Sequence, residues 1–100
     1  MYLGTMYLGM YSFRGDPAEL LAGHDRLLAL LPAGQLELHL CVQTEDGIAV
    51  LDTCPSREVF DRFSGGREFQ ELIAAAGLPR PEIQHVGEIK SYVLPPGAGA

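Results

Sequence analysis

An α+β fold with the element order β-α-β-β-α-β is predicted for this chain of 100 residues. Three observations predict it. Apolar and polar residues alternate almost without fault over Gln35–Thr44, the pattern of a half-buried strand. The tight turn Glu45-Asp46-Gly47 follows and sends the chain back along a second strand, Ile48–Thr53. Apolar stripes of helical period, each with a start and a stop signal, flank that hairpin on both sides.

The first strand is read from Met1–Phe13, rich in Tyr, Met and Leu. It holds a near-repeat, Met1-Tyr2-Leu3-Gly4 and then Met6-Tyr7-Leu8-Gly9. The offset is odd, so equivalent residues fall on opposite strand faces and only one copy keeps the native register. The second copy runs directly into the Arg14-Gly15 turn and is assigned to the strand.

Asp16, Pro17 and Glu19 then give a helix cap, a first-turn proline and a capping-box acid. Leu20, Leu21, Leu27, Leu28 and Leu31 share one face, and Pro32 with Gly34 stops the helix. On the next strand Leu36, Leu38, Leu40 and Val42 occupy one face, and Glu37, His39, Cys41 and Gln43 the other. After the hairpin, Pro55 opens a second helix with Val59, Phe60 and Phe63 inward. Ser64-Gly65-Gly66 breaks or kinks it, and Phe69, Leu72, Ile73 and Ala76 continue its apolar face to a terminal Gly77 and Pro79. Arg57, Glu58, Asp61, Arg62, Arg67 and Glu68 read as its solvated side. Glu82–Leu94 is the last strand. Residues 1–94 form one domain, and 95–100 a Pro/Gly/Ala tail expected to be disordered.

This order is the split βαβ or ferredoxin-like motif, a four-stranded antiparallel sheet with its helices on one face. The other face is bare. Tyr7, Tyr11 and Phe13 of the first strand and Glu37, His39, Cys41 and Gln43 of the second are expected on it. A mixed aromatic and polar face of that kind lines a cavity or is closed by a second copy of the chain.

Composition narrows the function. The formal net charge is −6, and the 7 basic residues are dispersed, which argues against nucleic acid and anionic membrane as partners. No apolar run reaches the ~20 residues that span a bilayer. The amino terminus has neither a basic region nor a small-residue cleavage site. Two cysteines make no disulfide framework. The expectation is a cytoplasmic, reduced protein.

Gly15-Asp16-Pro17-Ala18-Glu19-Leu20-Leu21, the block Leu38-His39-Leu40-Cys41-Val42 with Glu45-Asp46-Gly47-Ile48, Ser56–Phe63 and the closing Ala76–Glu82 together resemble the dimeric α/β-barrel proteins. That group includes the antibiotic-biosynthesis-monooxygenase-like proteins of actinobacteria. The resemblance spans roughly residues 6–94 and implies a homodimer, with a small-ligand cavity in each protomer between sheet and helices. It also implies chemistry without a cofactor or a metal on hydrophobic or aromatic compounds. The chain has no Trp and no Asn. The quinone-forming monooxygenases and the haem-degrading members use those residues, so the resemblance points rather to polyketide cyclases, which work with His and Tyr as acid and base.

His39 is the first candidate, because a neutral imidazole takes and gives protons near neutral pH. Its alternative is a histidine bonded in an interface. Glu37, on the same face, orients His39 or serves as a second acid; otherwise it is a solvated carboxylate. Cys41 also shares that face. A metal there would need a third ligand, and no ligand spacing supplies one, so Cys41 is read as a small lining thiol. Tyr7 and Tyr11 hydrogen-bond a carbonyl or enolate oxygen, or simply pack. Phe13 and Tyr92 add aromatic lining. His85 lies on a strand with Ile83 and Ile89 and is expected between sheet and helices, unless Gly87 marks a bulge that shifts the face. His24 interrupts the leucine stripe of the first helix and looks into the same space, or is a core-edge histidine. Asp52 reads as a cap for the Pro55 helix.

The leading expectation is a cofactor-independent enzyme acting on a polyketide-like compound by cyclisation, dehydration or isomerisation. The alternatives are a cofactor-free monooxygenase and a non-catalytic dimeric module that binds a small ligand.

Overall fold

The computed structural model of the protein describes residues 6–31 and 38–91. Strand β1 (Met6–Arg14) leads to helix α1 (Pro17–Leu30). The hairpin β2 (His39–Gln43) and β3 (Gly47–Cys54) follows, then helices α2 (Arg57–Ser64) and α3 (Arg67–Ala75), and strand β4 (Glu82–Ile89). The sheet order is β2-β3-β1-β4, with every neighbouring pair antiparallel. The ferredoxin-like fold read from the sequence is the fold observed. The helices cover one face of the sheet, and none among the described residues is long and apolar enough to cross a membrane.

The local signals act as expected at most ends. Asp16 caps α1, its Oδ2 accepting from the Glu19 amide at 3.1 Å. The second amino-terminal repeat is the one in the strand; the first lies outside the described residues. So do Pro32, Gly34, Leu36, Glu37, Tyr92 and the 95–100 tail. The second helix is broken in two, as Gly65 and Gly66 separate α2 from α3. Gly77 stands at φ +75° after α3, where its amide bonds Ala74 O and the Leu78 amide bonds Ile73 O. Those paired bonds are a Schellman closure, which needs a left-handed residue that glycine adopts freely. The cap of α2 differs from expectation: Ser56, not Pro55 or Asp52, accepts from the Val59 amide at 3.2 Å.

The core lies between β1, β3 and the helices. Phe60 of α2 is wholly buried there, with Tyr7, Tyr11, Phe13, Ile48, Val50, Phe69 and Ile73 around it. Gly9 makes this possible. A side-chain carbon at Gly9 would occupy the space of the Phe60 ring.

The largest departure from the sequence reading concerns faces. Tyr7, Tyr11, Phe13, His39 and Cys41 lie on the helix side of the sheet, not on the bare side. The register explains it. His39 pairs with Asp52, Cys41 with Val50 and Gln43 with Ile48, and residues opposite each other across a ladder share a face. Ile48 and Val50 are buried under the helices, so Leu40 and Val42 of β2, with Leu38 just before it, must point the other way and are exposed. Leu28, assigned inward on α1, is also exposed, because Gly23 and His24 take the central part of that helix's buried stripe. On β4 the bulge left open at Gly87 by the sequence is present. Gly9 pairs with His85 but Leu8 with Gly87, leaving Val86 unpaired. The bulge keeps His85 and Ile83 on the helix side and moves Ile89 to the opposite face.

Candidate active site

A carboxylate on an otherwise apolar strand face must find a partner once it is buried. Asp52 of β3 sits between Val50 and Cys54 on the helix side and is 6% exposed. Its Oδ1 accepts from His39 Nδ1 of β2 at 2.5 Å. His39 Nε2 in turn lies 2.7 Å from His24 Nε2 of α1, the two rings stacked 15° from parallel. With Asp52 ionised, Nδ1 of His39 carries a proton, so its Nε2 accepts one from His24 Nε2–H in the neutral state. The three residues form a continuous chain, Asp52–His39–His24, from the sheet to the first helix.

Tyr11 of β1 stands beside this chain. Its ring packs on Phe60 and Phe69, with centroids 5.6 and 4.8 Å away. Its hydroxyl is fully buried and, among the described residues, is the side-chain polar atom so buried that has no hydrogen-bond partner. Leaving such a group unpaired costs ~1–3 kcal/mol. Burial, followed by the negative charge of Asp52 and by Cys54, pushes the Tyr11 hydroxyl far above its ordinary value. It is therefore a permanent proton donor near neutral pH.

Two adjoining cavities open between sheet and helices here. One, of about 120 Å³, is lined by Tyr11, Asp52, Cys54, Val59, Phe63 and Leu31 among others. The other, of about 20 Å³, adds His39, Phe13 and Leu27 and shares Tyr11 and Asp52 with the first. Tyr11 and Asp52 thus line the same space. Burial and then Asp52 raise the Cys54 thiol, and burial followed by Asp25 raises Cys41, so both stay protonated.

The remaining candidates form a second cluster. Tyr7 Oη lies 2.7 Å from His85 Nδ1, and His85 Nε2 lies 3.0 Å from Asp61 Oδ1 of α2. Phe60 separates this cluster from the first, its ring 5.9 Å from Tyr7 and 5.1 Å from His85. His85 and Asp61 are exposed at the sheet edge, where they tie β4 to α2. Of the residues singled out in the sequence, the structure brings together His24, His39, Tyr11 and Phe13. Cys41 packs against the core beside them. Tyr7 and His85 stand apart, and Glu37 and Tyr92 lie outside the described residues.

Sequence reasoning missed Asp52 and Asp61, taking the first for a helix cap and the second for a solvated side chain. A signal for Asp52 was present. It breaks an apolar face of β3 two positions from Val50, and such a carboxylate calls for a buried cation or imidazole. Among the described residues no group of three or more His, Cys, Asp or Glu is arranged to hold a metal ion.

His24 gives the site a pH signature. Burial, and then the neighbouring His39, lower its pKa below the ordinary histidine value, against smaller opposing effects of Asp25 and Asp52. Below about pH 6.5 the unfolded chain therefore binds a proton at His24 that the folded chain refuses. Stability from this group is complete above that pH and falls as pH drops, by at most ~1.4 kcal/mol per pH unit. Thermal melts between pH 7.5 and 5.5 are expected to show a falling midpoint, with a shallower fall in His24→Leu. An unchanged slope in that variant would assign the pH dependence elsewhere.

No family model matches the chain, and no curated protein matches it. Solved structures do. One is a variant of SnoaB, a cofactor-independent oxygenase from Streptomyces nogalater, at TM-score 0.50 and 16% identity over 92% of this chain and 96% of that one. Another is a dimeric ferredoxin-like protein from an uncultured marine organism, at TM-score 0.52 and 12% identity over 93% and 94%. Both likenesses are of fold, and they bear out the ferredoxin-like fold read from the sequence.

Proposed function

We propose that the protein is a cofactor-independent enzyme that catalyses proton transfer on a small, largely apolar carbonyl compound, in the cavity lined by Tyr11, Asp52 and His39. One observation carries the reading. Tyr11, whose buried hydroxyl has no partner, and Asp52, whose carboxylate is held by His39, line one cavity. Those are the two groups that enolisation requires, a donor for the developing oxyanion and an acceptor for the proton.

Both nitrogens of His39 are engaged, one by Asp52 and one by His24. Oδ2 of Asp52 accepts no hydrogen bond from another described residue. The proton therefore enters the unit at Asp52 Oδ2, with His39 fixing the carboxylate and His24 fixing His39. The α C–H bond of the substrate breaks, and its electron pair passes into the carbonyl, whose oxygen takes the Tyr11 hydrogen bond. The enolate then closes a ring, expels a β-hydroxyl as water, or regains the proton at another carbon. A polyketide-like compound offers all three outcomes. The cavity walls supply orientation by shape.

The test is wash-in of deuterium from D2O at the α-carbon of 2-tetralone, a planar ketone. Catalysed exchange that falls at least ~100-fold in Tyr11→Phe supports the proposal. No exchange above the buffer rate, or equal exchange in the variant, would sink it. A second reading, a cofactor-free oxygenase, is favoured by the likeness to SnoaB. There the same deprotonation yields an electron-rich anion that gives its electrons to dioxygen, and oxygen uptake with an oxidisable hydroquinone separates the two.

The open sheet face supports a homodimer. Leu38, Leu40 and Val42 are exposed there at 42, 48 and 47%. An apolar patch on a sheet is a liability unless covered. Light scattering is expected to give twice the chain mass, and Leu40→Asp to shift it to the monomer. A monomeric parent protein would remove this part of the reading.

A further inference from the structure

A third cavity, away from Asp52, has the make-up of a binding site for an amphipathic carboxylate. It has a volume of about 320 Å³ and lies between α3 and the start of β4. That is at the small end of the range for ligand sites. Phe69, Ile73, Leu78 and Ile83 give it an apolar lining, and Arg80, Gln70 and Ser64 supply polar groups.

Arg80 has no carboxylate within 4.0 Å and no hydrogen bond among the described residues. Arg57 lies near Asp61 and Arg26 bonds Ala76 O at 2.9 Å, while Arg14, Arg62 and Arg67 share the lack of a partner among the described residues but do not line this cavity. In a chain of net charge −6 an unpaired guanidinium beside an apolar cavity is conspicuous. Arg80 also stands between Pro79 and Pro81. The ring of Pro79 fixes its own φ, and Pro81 restricts Arg80 to extended backbone. The guanidinium is thus presented from a stiff segment, so less freedom is lost when an anion binds. Ser64 is a second, independent observation. It is 6% exposed, it lines the cavity, and its hydroxyl makes no hydrogen bond to another described residue.

We infer that this cavity binds a monocarboxylate with a medium-length aliphatic or aromatic body. The body lies on Phe69, Ile73, Leu78 and Ile83, and the carboxylate takes the fork of Arg80, whose geometry matches two oxygens. Ser64 and Gln70 complete its hydrogen bonds. Phe69 and Ile73 also line the smaller cavity that contains His39, so the two sites share a wall without sharing a polar group. The inference stands on Arg80 and Ser64 and is independent of the proton-transfer reading.

The probe is octanoate, with octanol as its uncharged control, titrated into the intact protein by calorimetry and by amide chemical shifts. Saturable binding of one octanoate per chain is expected, with shifts at Ser64, Gln70, Ile73 and Ile83. Arg80→Gln is exposed and leaves the fold intact, as its thermal melt will show. It is expected to weaken octanoate about tenfold or more and to leave octanol unchanged. Ser64→Ala is expected to weaken octanoate less. Absence of saturable binding overturns the inference. So does equal affinity of Arg80→Gln and parent for octanoate, or shifts confined to Tyr11 and Asp52.

Discussion

Replacing Asp52 with asparagine is expected to remove proton-transfer activity while leaving the protein folded. The amide oxygen still accepts from His39 Nδ1, so the chain to His24 keeps its geometry. What disappears is the basic oxygen and the charge that would balance an imidazolium. General-base catalysis contributes typically ~10²–10⁴-fold, and a loss of that size in 2-tetralone exchange is the expected result. Asp52→Ala differs in kind. It leaves the His39 N–H without an acceptor in a buried place and costs ~1–3 kcal/mol of stability as well. The pair of variants separates roles. A purely structural Asp52 would leave exchange in the asparagine variant near the parent level, and the ring nitrogens of His39 would show an unchanged tautomer by nitrogen NMR. Loss of exchange with an intact melt assigns the carboxylate to the chemistry.

Gly9→Val is expected to be the most damaging single change in the strand core. A side-chain carbon at that position falls within the Phe60 ring, which is itself wholly buried and cannot swing into solvent. Overpacking of this kind costs ~1–3 kcal/mol, and more where the neighbour is rigid. For a domain of this size each kcal/mol lowers the melting midpoint by roughly 4–8 °C. At the upper end of that cost a fall of about 12–24 °C is expected. Phe60→Ala alone opens a cavity and costs ~3–5 kcal/mol. The two changes touch the same space, so the double variant is expected to lose clearly less than the sum, which denaturant melts of all four proteins will show. Additive losses would mean that Gly9 serves the backbone rather than the ring. Phe60 also separates Tyr11 from the Tyr7–His85 pair, so the Gly9 variants join the core to the site.

Local chemistry was readable without a structure. Asp16 and Glu19 start α1, Gly65-Gly66 divides α2 from α3, Gly77 closes α3, and Gly87 accompanies the β4 bulge. Each of these depends on residues close in the chain, where caps, turns and periodicity act directly. His24 was legible because it interrupts a leucine stripe, and His39 because it stands in an alternating strand.

The side of the sheet on which β2 places its two alternating sets was not readable from periodicity. Alternation fixes that Leu38, Leu40 and Val42 oppose His39 and Cys41, and is silent on which set meets the helices. With the imidazole turned inward, Asp52, His39 and His24 satisfy one another, and the leucines are left for another surface. Such a choice depends on β3 and α1 at once. For the same reason Asp52 was misread: its neighbours in the chain suggest a cap, and its partner lies on the adjacent strand. The sequence by itself determined the order of elements, several of their start and stop signals and the inventory of titratable groups, since those follow from local backbone and solvation preferences. Only the tertiary structure decided which of those groups touch. Strand register and helix docking set distances between residues far apart in the chain, and the Asp52–His39–His24 chain and the unpaired Tyr11 hydroxyl exist only through them.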